Sequence, residues 1–295
     1  MHTQRSFLIG LIGSGIGPSL SPALHEREAD ELGLRYLYRR WDLDELDRPA
    51  EEIGELLRIA RTAGYDGLNI THPCKQLVIE HLDELSTDAA ALGAVNTVVF
   101  RDGKAVGHNT DWSGFARSFS RGLPGAPLDR VVLLGAGGAG AAVGYALLNL
   151  GVGVLQILDI DRQRAENLAG SLRELFGAER VTAGGMDECG GALDWADGLV
   201  HATPVGMAAH PGCPVPAELL RPQLWVADVV YRPLRTELVN AAAERGCRVL
   251  HGGGMAVFQA VEAFQLFTGV EPDAERMLEH FEVLVEQGGP HVADG

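Results

Sequence analysis

The stretch Arg130–Asp161, RVVLLGAGGAGAAVGYALLNLGVGVLQILDID, decides how this chain is read. Val131-Val132-Leu133-Leu134 has the length and β-branched character of a buried parallel strand. Gly135-Ala136-Gly137-Gly138-Ala139-Gly140 follows it, then good helix formers from Ala141 to Leu150, with Gly151 where a helix end calls for positive φ. A second apolar run, Val154 to Leu158, ends in Asp159, at about the 20-residue offset from which a carboxylate reaches a ribose on the glycine turn. A pyrophosphate needs backbone N–H groups and a helix N-terminus close by, and side chains at the turn would hold it off. A G-x-G-x-x-G string alone is a weak signal, because glycine-rich turns are common in loops. Here a strand precedes it, a helix follows it and an acidic residue stands at the right distance. Gly135, Gly137, Gly138 and Ala139 are therefore read as a pyrophosphate cradle, and Asp159 as the ribose ligand of a dinucleotide.

Working outward, 295 residues suffice for two domains of ordinary size, and 46% hydrophobic with 22% charged residues is globular. The formal charge of −16 repels nucleic acid and anionic membranes alike, so neither is an expected partner. Cys74, Cys189, Cys213 and Cys247 form no C-x-x-C pair, which suggests no zinc site or disulfide framework and fits a reduced, cytoplasmic setting. The ten histidines are scattered and His72 lacks partners at ligand spacing, so no metal is expected. Phe7–Ile12 is too short for a signal peptide and is broken by Gly13-Ser14-Gly15; it reads as a strand. No other run is long enough to cross a bilayer. Lys75 and Lys104 are the only lysines, which reads as compositional bias.

Before the glycine turn, strands and helices alternate. Ser21-Pro22 has the form of a helix cap followed by proline, with the helix running to about Leu32 and stopped by Gly33. Arg35–Trp41 reads as a strand, Arg48–Ala63 as an amphipathic helix, and Gly67–Ile70 as a third strand running into Thr71-His72-Pro73-Cys74-Lys75. The alternation implies a parallel sheet with ligand groups at the strands' carboxyl ends. Ser86–Leu92 follows as a helix, then Asn96–Arg101 and Lys104–Gly107 as a hairpin turning at Asp102-Gly103. After a helix over Ser113–Arg121, the cluster Gly122–Pro127 is a plausible domain boundary. Beyond Asp161, a helix over Arg162–Phe176, strands at Gly198–Ala202, Trp225–Val229 and Arg248–Leu250, and a helix over Thr236–Arg245 continue the pattern. Helices over Met255–Phe267 and Asp273–Glu286 finish it, with the residues from Gly288 expected to fray. The fold class is α/β, with an N-terminal α/β substrate domain over 1–112, completed by helices at about 255–287, and a Rossmann-type dinucleotide-binding domain over 125–254.

Three polar clusters of the first domain fall at strand ends or loops: Ser19 with Ser21; Asn69, Thr71 and Lys75; Asn96 with Asp111. Each has a plain account as cap, turn or solvated charge. Together they supply neutral hydrogen-bonding groups and one cation, a set suited to a small polyhydroxylated carboxylate. A lysine beside a hydroxyl under oxidation can take its proton as hydride leaves the carbon.

Several spaced motifs in one order resemble the shikimate dehydrogenase family. They are Ser19-Leu20-Ser21-Pro22, Asn69 through Lys75, Gly93-Ala94-Val95-Asn96-Thr97, Asn109-Thr110-Asp111 and the glycine turn, then Ala202 through Met207, Asp228-Val229-Val230-Tyr231 and Gly252 through Gln259. The resemblance covers nearly the whole chain and is closest to the NAD-dependent quinate/shikimate members. It implies reversible oxidation of a ring hydroxyl of shikimate or quinate, in a cleft between domains that can close over substrate. By that resemblance Lys75 and Asp111 are the catalytic pair, and Ser19 and Ser21 hold the substrate carboxylate. Asn69, Thr71, Asn96, Asp111 and Gln259 hold the hydroxyls, with Tyr231 nearby, while Thr203, Pro204, Val205, Met207, Val229 and Gly252 line the nicotinamide side. A neighbouring Asp111 would favour protonated Lys75, which opposes its use as a base unless burial or a proton relay compensates.

NADP-using members of that family often carry Asn-Arg-Thr where this chain has Asp159-Ile160-Asp161. A carboxylate there accepts both ribose hydroxyls of NAD and repels the 2′-phosphate of NADP, so NAD is expected and NADP less so. Arg162 and Arg164 leave that open, Arg164 being a cofactor contact if it turns inward; surface charges facing Glu166 are the plainer reading. Other readings are an NADP-dependent biosynthetic shikimate dehydrogenase, a dehydrogenase of an aminoshikimate analogue, and a catalytically silent nucleotide-binding module. Shikimate against quinate, and monomer against homodimer, stay undecided at this level.

Overall fold

The structure is a computed structural model and describes residues 5–288. The chain forms two compact units: one holds the residues through Thr110 with those from Gln259 onward, the other Asp111–Phe258. The boundary expected at Gly122–Pro127 thus falls inside the second unit. The reason is packing, since on the helix Asp111–Gly122 the Phe119 ring meets Trp225 edge-on and Ser118 lies against Gly254, where a Cβ would come within 2.2 Å of the hydroxyl.

The first unit runs β1 (Ser6–Gly13), α1 (Ser21–Glu31), β2 (Arg35–Asp42), α2 (Leu43–Leu46), α3 (Ile53–Thr62), β3 (Gly67–Ile70), α4 (Cys74–Leu77), β4 (Glu84–Leu85), α5 (Thr87–Leu92), β5 (Thr97–Arg101) and β6 (Lys104–His108). Its sheet has the order β2-β1-β3-β5-β6-β4. The first three strands are parallel, but β5 runs antiparallel to β3 and β6 antiparallel to β5, so the sheet is mixed rather than parallel as expected. Asp102 and Gly103, both at positive φ (51° and 76°), make the tight turn that reverses the chain between β5 and β6.

Two helix readings need correction. The expected helix over Arg48–Ala63 begins only at Ile53, after α2 and a 3-10 turn, because Pro49 holds its own backbone extended (ψ 153°) and disfavours a helical residue before it. Ser21 is the first residue of α1, not its cap: Leu20 occupies the cap position, and no side chain caps the helix there. Both faces of β1 are buried. Ile9 and Leu11 pack with Tyr36, Tyr38, Phe264 and Phe267, while Ile12 packs with Leu43, Ile53, Leu57, Leu68 and Ile70. A strand covered on both faces has to be apolar throughout, which is why Phe7–Ile12 reads as one run.

The second unit contains α6 (Asp111–Gly122), β7 (Arg130–Leu134), α7 (Gly138–Asn149), β8 (Val154–Asp159), α8 (Arg162–Phe176), β9 (Val181–Gly185), α9 (Cys189–Leu193), β10 (Gly198–His201), β11 (Trp225–Asp228), α10 (Glu237–Glu244) and β12 (Arg248–Leu250). All strands are parallel in the order β9-β8-β7-β10-β11-β12, which reverses direction between β7 and β10, the switch point at which such sheets bind ligands. β9 and α9 have no counterpart in the sequence reading, since Val181–Gly185 has two glycines and little apolar pattern. Helix α11 (Gly253–Thr268) starts in the second unit and ends in the first, where α12 (Ala274–Glu286) follows. There Arg276 grips Glu28 of α1 through both carboxylate oxygens, at 2.8 and 2.6 Å, and the Asp273 amide adds a third bond at 2.8 Å. Of the segment expected to fray from Gly288 onward, residues 289–295 lie outside the described residues. Among the described residues no helix is long and apolar enough to cross a membrane.

Candidate active site

The cofactor candidates all lie in the second unit, at or beyond the carboxyl ends of its parallel strands. The four glycines of the turn divide by role. At Gly135 (φ +100°) a Cβ would stand 2.6 Å from the Ala202 carbonyl, and at Gly140 it would stand 2.0 Å from that of Gly135. Packing forbids a side chain at either. Gly137 and Gly138 instead face open space, with nothing within 4 Å of a Cβ, and Gly137 caps α7 without a side-chain hydrogen bond. Ala139, half-buried, is in the first turn of the same helix. Space and uncovered helix amides at one place fit a dinucleotide pyrophosphate.

Asp159 closes β8 and is 7% exposed. One oxygen accepts the Ala136 amide at 2.8 Å and the other the Asp161 amide at 2.9 Å, leaving each a further lone pair. Its neighbour Ile160 is 92% exposed, an apolar side chain with no packing role. Asp161 caps α8 through the amides of Gln163 and Arg164. Arg162 is held by Asp187 and Glu188, at 2.8 and 2.7 Å. Arg164 is exposed, and Glu166 pairs with Arg173 rather than with either of these arginines.

Beyond β10, Thr203 and Val205 are half-buried, while Pro204 and Met207 are exposed. A buried polar chain supports them: Thr236 donates to Asp228 Oδ2 at 2.6 Å, His201 Nδ1 meets Asp228 Oδ1 at 2.9 Å, and His201 Nε2 meets the Thr203 hydroxyl at 2.5 Å. The Thr203 oxygen also accepts the Val205 amide at 3.3 Å, which bends the turn. Asp228 Oδ1 further accepts the Val230 amide at 3.0 Å, so three donors converge on this buried carboxylate. Val229 follows β11, and Gly252, where a Cβ would be 2.3 Å from the Val229 carbonyl, follows β12. His201 was not singled out in the sequence; its signal is a histidine ending an otherwise apolar strand.

Ser19, Ser21, Asn69, Thr71, Lys75, Asn96 and Gln259 belong to the first unit, and Asp111 and Tyr231 to the second. Within the first unit the loops after β1 and β3 are tied together: the Ser14 amide donates to the His72 carbonyl at 3.0 Å and the Thr71 amide to that of Ile12 at 2.9 Å. Ser19 Oγ accepts the Ser21 amide at 3.3 Å, and Ser21 hydrogen-bonds the buried Tyr38 phenol. Tyr38 donates to Asn69 Oδ1 at 2.7 Å. From Asn69 the chain continues to Thr97 Oγ1 at 3.1 Å, from Thr97 to Asn96 Oδ1 at 3.0 Å, and from Asn96 Nδ2 to Thr110 Oγ1 at 2.9 Å. This ladder sets how Asn69 and Asn96 are turned, and neither closes a turn. Tyr38 was missed because its strand period marks it only as core. Lys75 is half-buried in α4, with its carbonyl accepting the Val95 amide at 2.8 Å. Asp111, half-buried, opens α6 directly after Thr110. Gln259 is half-buried on α11, and burial raises the Tyr231 phenol above its ordinary value, keeping its proton on.

The model of the shikimate dehydrogenase substrate binding domain matches residues 11–98, and that of the shikimate 5′-dehydrogenase C-terminal domain matches 252–280. A shikimate dehydrogenase (NADP(+)) of Streptomyces avermitilis is 66% identical over 94% of this chain and 95% of its own. This chain belongs to the shikimate dehydrogenase family. Another member, the quinate/shikimate dehydrogenase (NAD(+)) of Corynebacterium efficiens, is 50% identical over 92% of this chain and 96% of its own. The structure of quinate dehydrogenase from Corynebacterium glutamicum in complex with NAD superposes with a TM-score of 0.91, at 48% identity, covering 95% of this chain and 99% of that one. Family membership accounts for the two-unit α/β architecture and for a nicotinamide dinucleotide as the expected cofactor class. Among these relatives the named cofactor is NADP(+) in one and NAD in two.

Proposed function

We propose that this protein reversibly oxidises a ring hydroxyl of shikimate or quinate to the 3-dehydro ketone, with NAD as the preferred cofactor. The observation that carries the cofactor preference is Asp159. It is buried, fixed by the Ala136 and Asp161 amides, and placed at the end of β8 where the dinucleotide ribose is read. The residues that a 2′-phosphate would want are otherwise engaged or turned outward: Arg162 is spent on Asp187 and Glu188, and Arg164 is exposed.

The bound nicotinamide supplies a two-electron acceptor for hydride. Ser19 and Ser21 take the substrate carboxylate, and Asn69, Thr71, Asn96, Gln259 and Tyr231 orient the ring hydroxyls. Lys75 takes the proton released at the reacting hydroxyl, and Asp111 orients that hydroxyl and the lysine. Thr203, Pro204, Val205, Met207, Val229 and Gly252 border the nicotinamide side, and Gly135, Gly137, Gly138 and Ala139 cradle the pyrophosphate. A cytoplasmic setting goes with four cysteines that are all free thiols.

The name of the Streptomyces avermitilis relative favours a second reading, the NADP-dependent shikimate dehydrogenase. Initial rates of cofactor reduction with shikimate and quinate, each offered with NAD and NADP, separate the two. Higher kcat/KM with NAD on either acid is the expected result. Activity only with NADP would overturn the reading of Asp159, and silence in all four would overturn the enzyme.

A further inference from the structure

Asp42 ends β2 opposite Gly13 of β1 and is 5% exposed. Its carboxylate gathers amides from a loop more than twenty residues away: Gly15 at 3.0 Å on Oδ1, Ile16 at 2.8 Å and Gly17 at 3.1 Å on Oδ2. The Asp44 amide adds a fourth bond at 3.2 Å, the helix-capping bond for α2. A cap alone would need only that last one. Three successive amides turned to one point, with Gly15 at φ +64°, form a nest of the kind that binds anions. Here the nest is filled by the chain's own carboxylate.

The filling has a consequence for the loop. Its amides face inward to Asp42, so its contribution to a ligand is made by hydroxyls. The Ser19 amide is bonded at 2.9 Å to the carbonyl of Ile16, itself a nest residue, and Ser19 Oγ accepts the Ser21 amide. The position of both serines is therefore transmitted from the nest through a few backbone bonds. Removing Asp42 would take the acceptor from the amide of buried Ile16, of half-buried Gly17 and of exposed Gly15, and the loop would turn to find others.

We propose that Asp42 is the positioning residue for carboxylate recognition: it sets Ser19 and Ser21 for the substrate's anionic group without touching the substrate. This rests on the reading of the two serines given under the proposed function. The same picture makes the loop a specificity element, because discrimination between an acid and its neutral ester resides in groups whose placement Asp42 controls.

The test compares an acid the wild type turns over with its methyl ester, at saturating cofactor, in wild type, Asp42→Asn and Gly15→Val. The asparagine keeps the size but turns a donor toward the loop amides; the valine disturbs the nest from the other side, through positive φ. In both variants the KM for the acid should rise about tenfold or more, with kcat within about threefold and the KM for cofactor unchanged. The preference for acid over ester should shrink by a similar factor. In a Ser19→Ala, Ser21→Ala background, Asp42→Asn should add little further loss. Equal losses for acid and ester, or an unchanged acid KM in both variants, would overturn the assignment while leaving the proposed function standing. A folded wild type inactive on every acid would overturn both.

Discussion

The backbone amide of Ala136 donates to Asp159 Oδ2 at 2.8 Å, tying the carboxylate at the end of β8 to the glycine turn after β7. The groups read here as ribose ligand and pyrophosphate cradle are thus one hydrogen-bonded unit, so the carboxylate needs no reorganisation to meet a ligand. A phosphate placed against it would meet a fixed negative charge.

Asp159→Asn removes the charge and keeps the volume. We expect kcat/KM with NAD to fall and the NADP-to-NAD ratio of kcat/KM to rise about tenfold or more, a change of ~1.4 kcal/mol or more. Steady-state rates with both cofactors measure it. A ratio that stays put would remove Asp159 from cofactor selection.

Lys75→Ala should reduce kcat by roughly 100- to 10,000-fold, the range of a lost proton-transfer group, while the KM for the acid stays within about threefold. A variant with normal kcat and a much larger KM would make Lys75 a binding group instead.

His201→Phe breaks the chain from Asp228 to Thr203. The Thr203–Met207 turn then loses its support, worth about 1–3 kcal/mol. The cofactor KM should rise about tenfold with the KM for the acid unchanged; a rise in the acid KM alone would place the turn elsewhere in the mechanism.

The Glu28–Arg276 pair is unequal, since the Glu28 side chain is 1% exposed and that of Arg276 34%. Arg276→Met strands a buried carboxylate and should cost about 3–4 kcal/mol, whereas Glu28→Gln leaves an arginine that water can reach and should cost about 1–2 kcal/mol. Urea unfolding of the two variants checks the order; equal losses would mean that packing, not charge, dominates.

His25 is fully buried against Tyr36, Tyr38 and Phe264, and burial lowers its pKa from 6.5 to about 3. The unfolded chain takes a proton there below pH 6.5, and the folded chain only below about pH 3. Stability from this group is therefore full above pH 6.5 and lost as pH falls between those values, by about 1.4 kcal/mol per pH unit at most. Urea midpoints measured from pH 7 to pH 4 should fall less steeply in His25→Phe than in the wild type.

Local rules carried the dinucleotide unit a long way: an apolar run, a glycine turn, a helix former stretch and an acidic residue at the next strand end are each set by a few neighbours. Helix α8 spans the very residues expected, Arg162–Phe176, because its cap Asp161 and its stop Gly177 are both written beside it. The family motifs likewise named the segments that hold Ser19, Lys75, Asp111 and Thr203. What only tertiary structure decided are relationships between distant residues. The sheet of the first unit is mixed because β5 pairs with β3 across the intervening α4, β4 and α5, and no period along either strand records direction. Helix α6 joined the second unit because Phe119 found Trp225. Asp42, Tyr38 and His201 look like a strand end, a core aromatic and a strand-end imidazole until the chain is folded. Their importance lies in partners 26 to 31 residues away, and a hydrogen bond over such distances exists only once the intervening chain has brought both ends together.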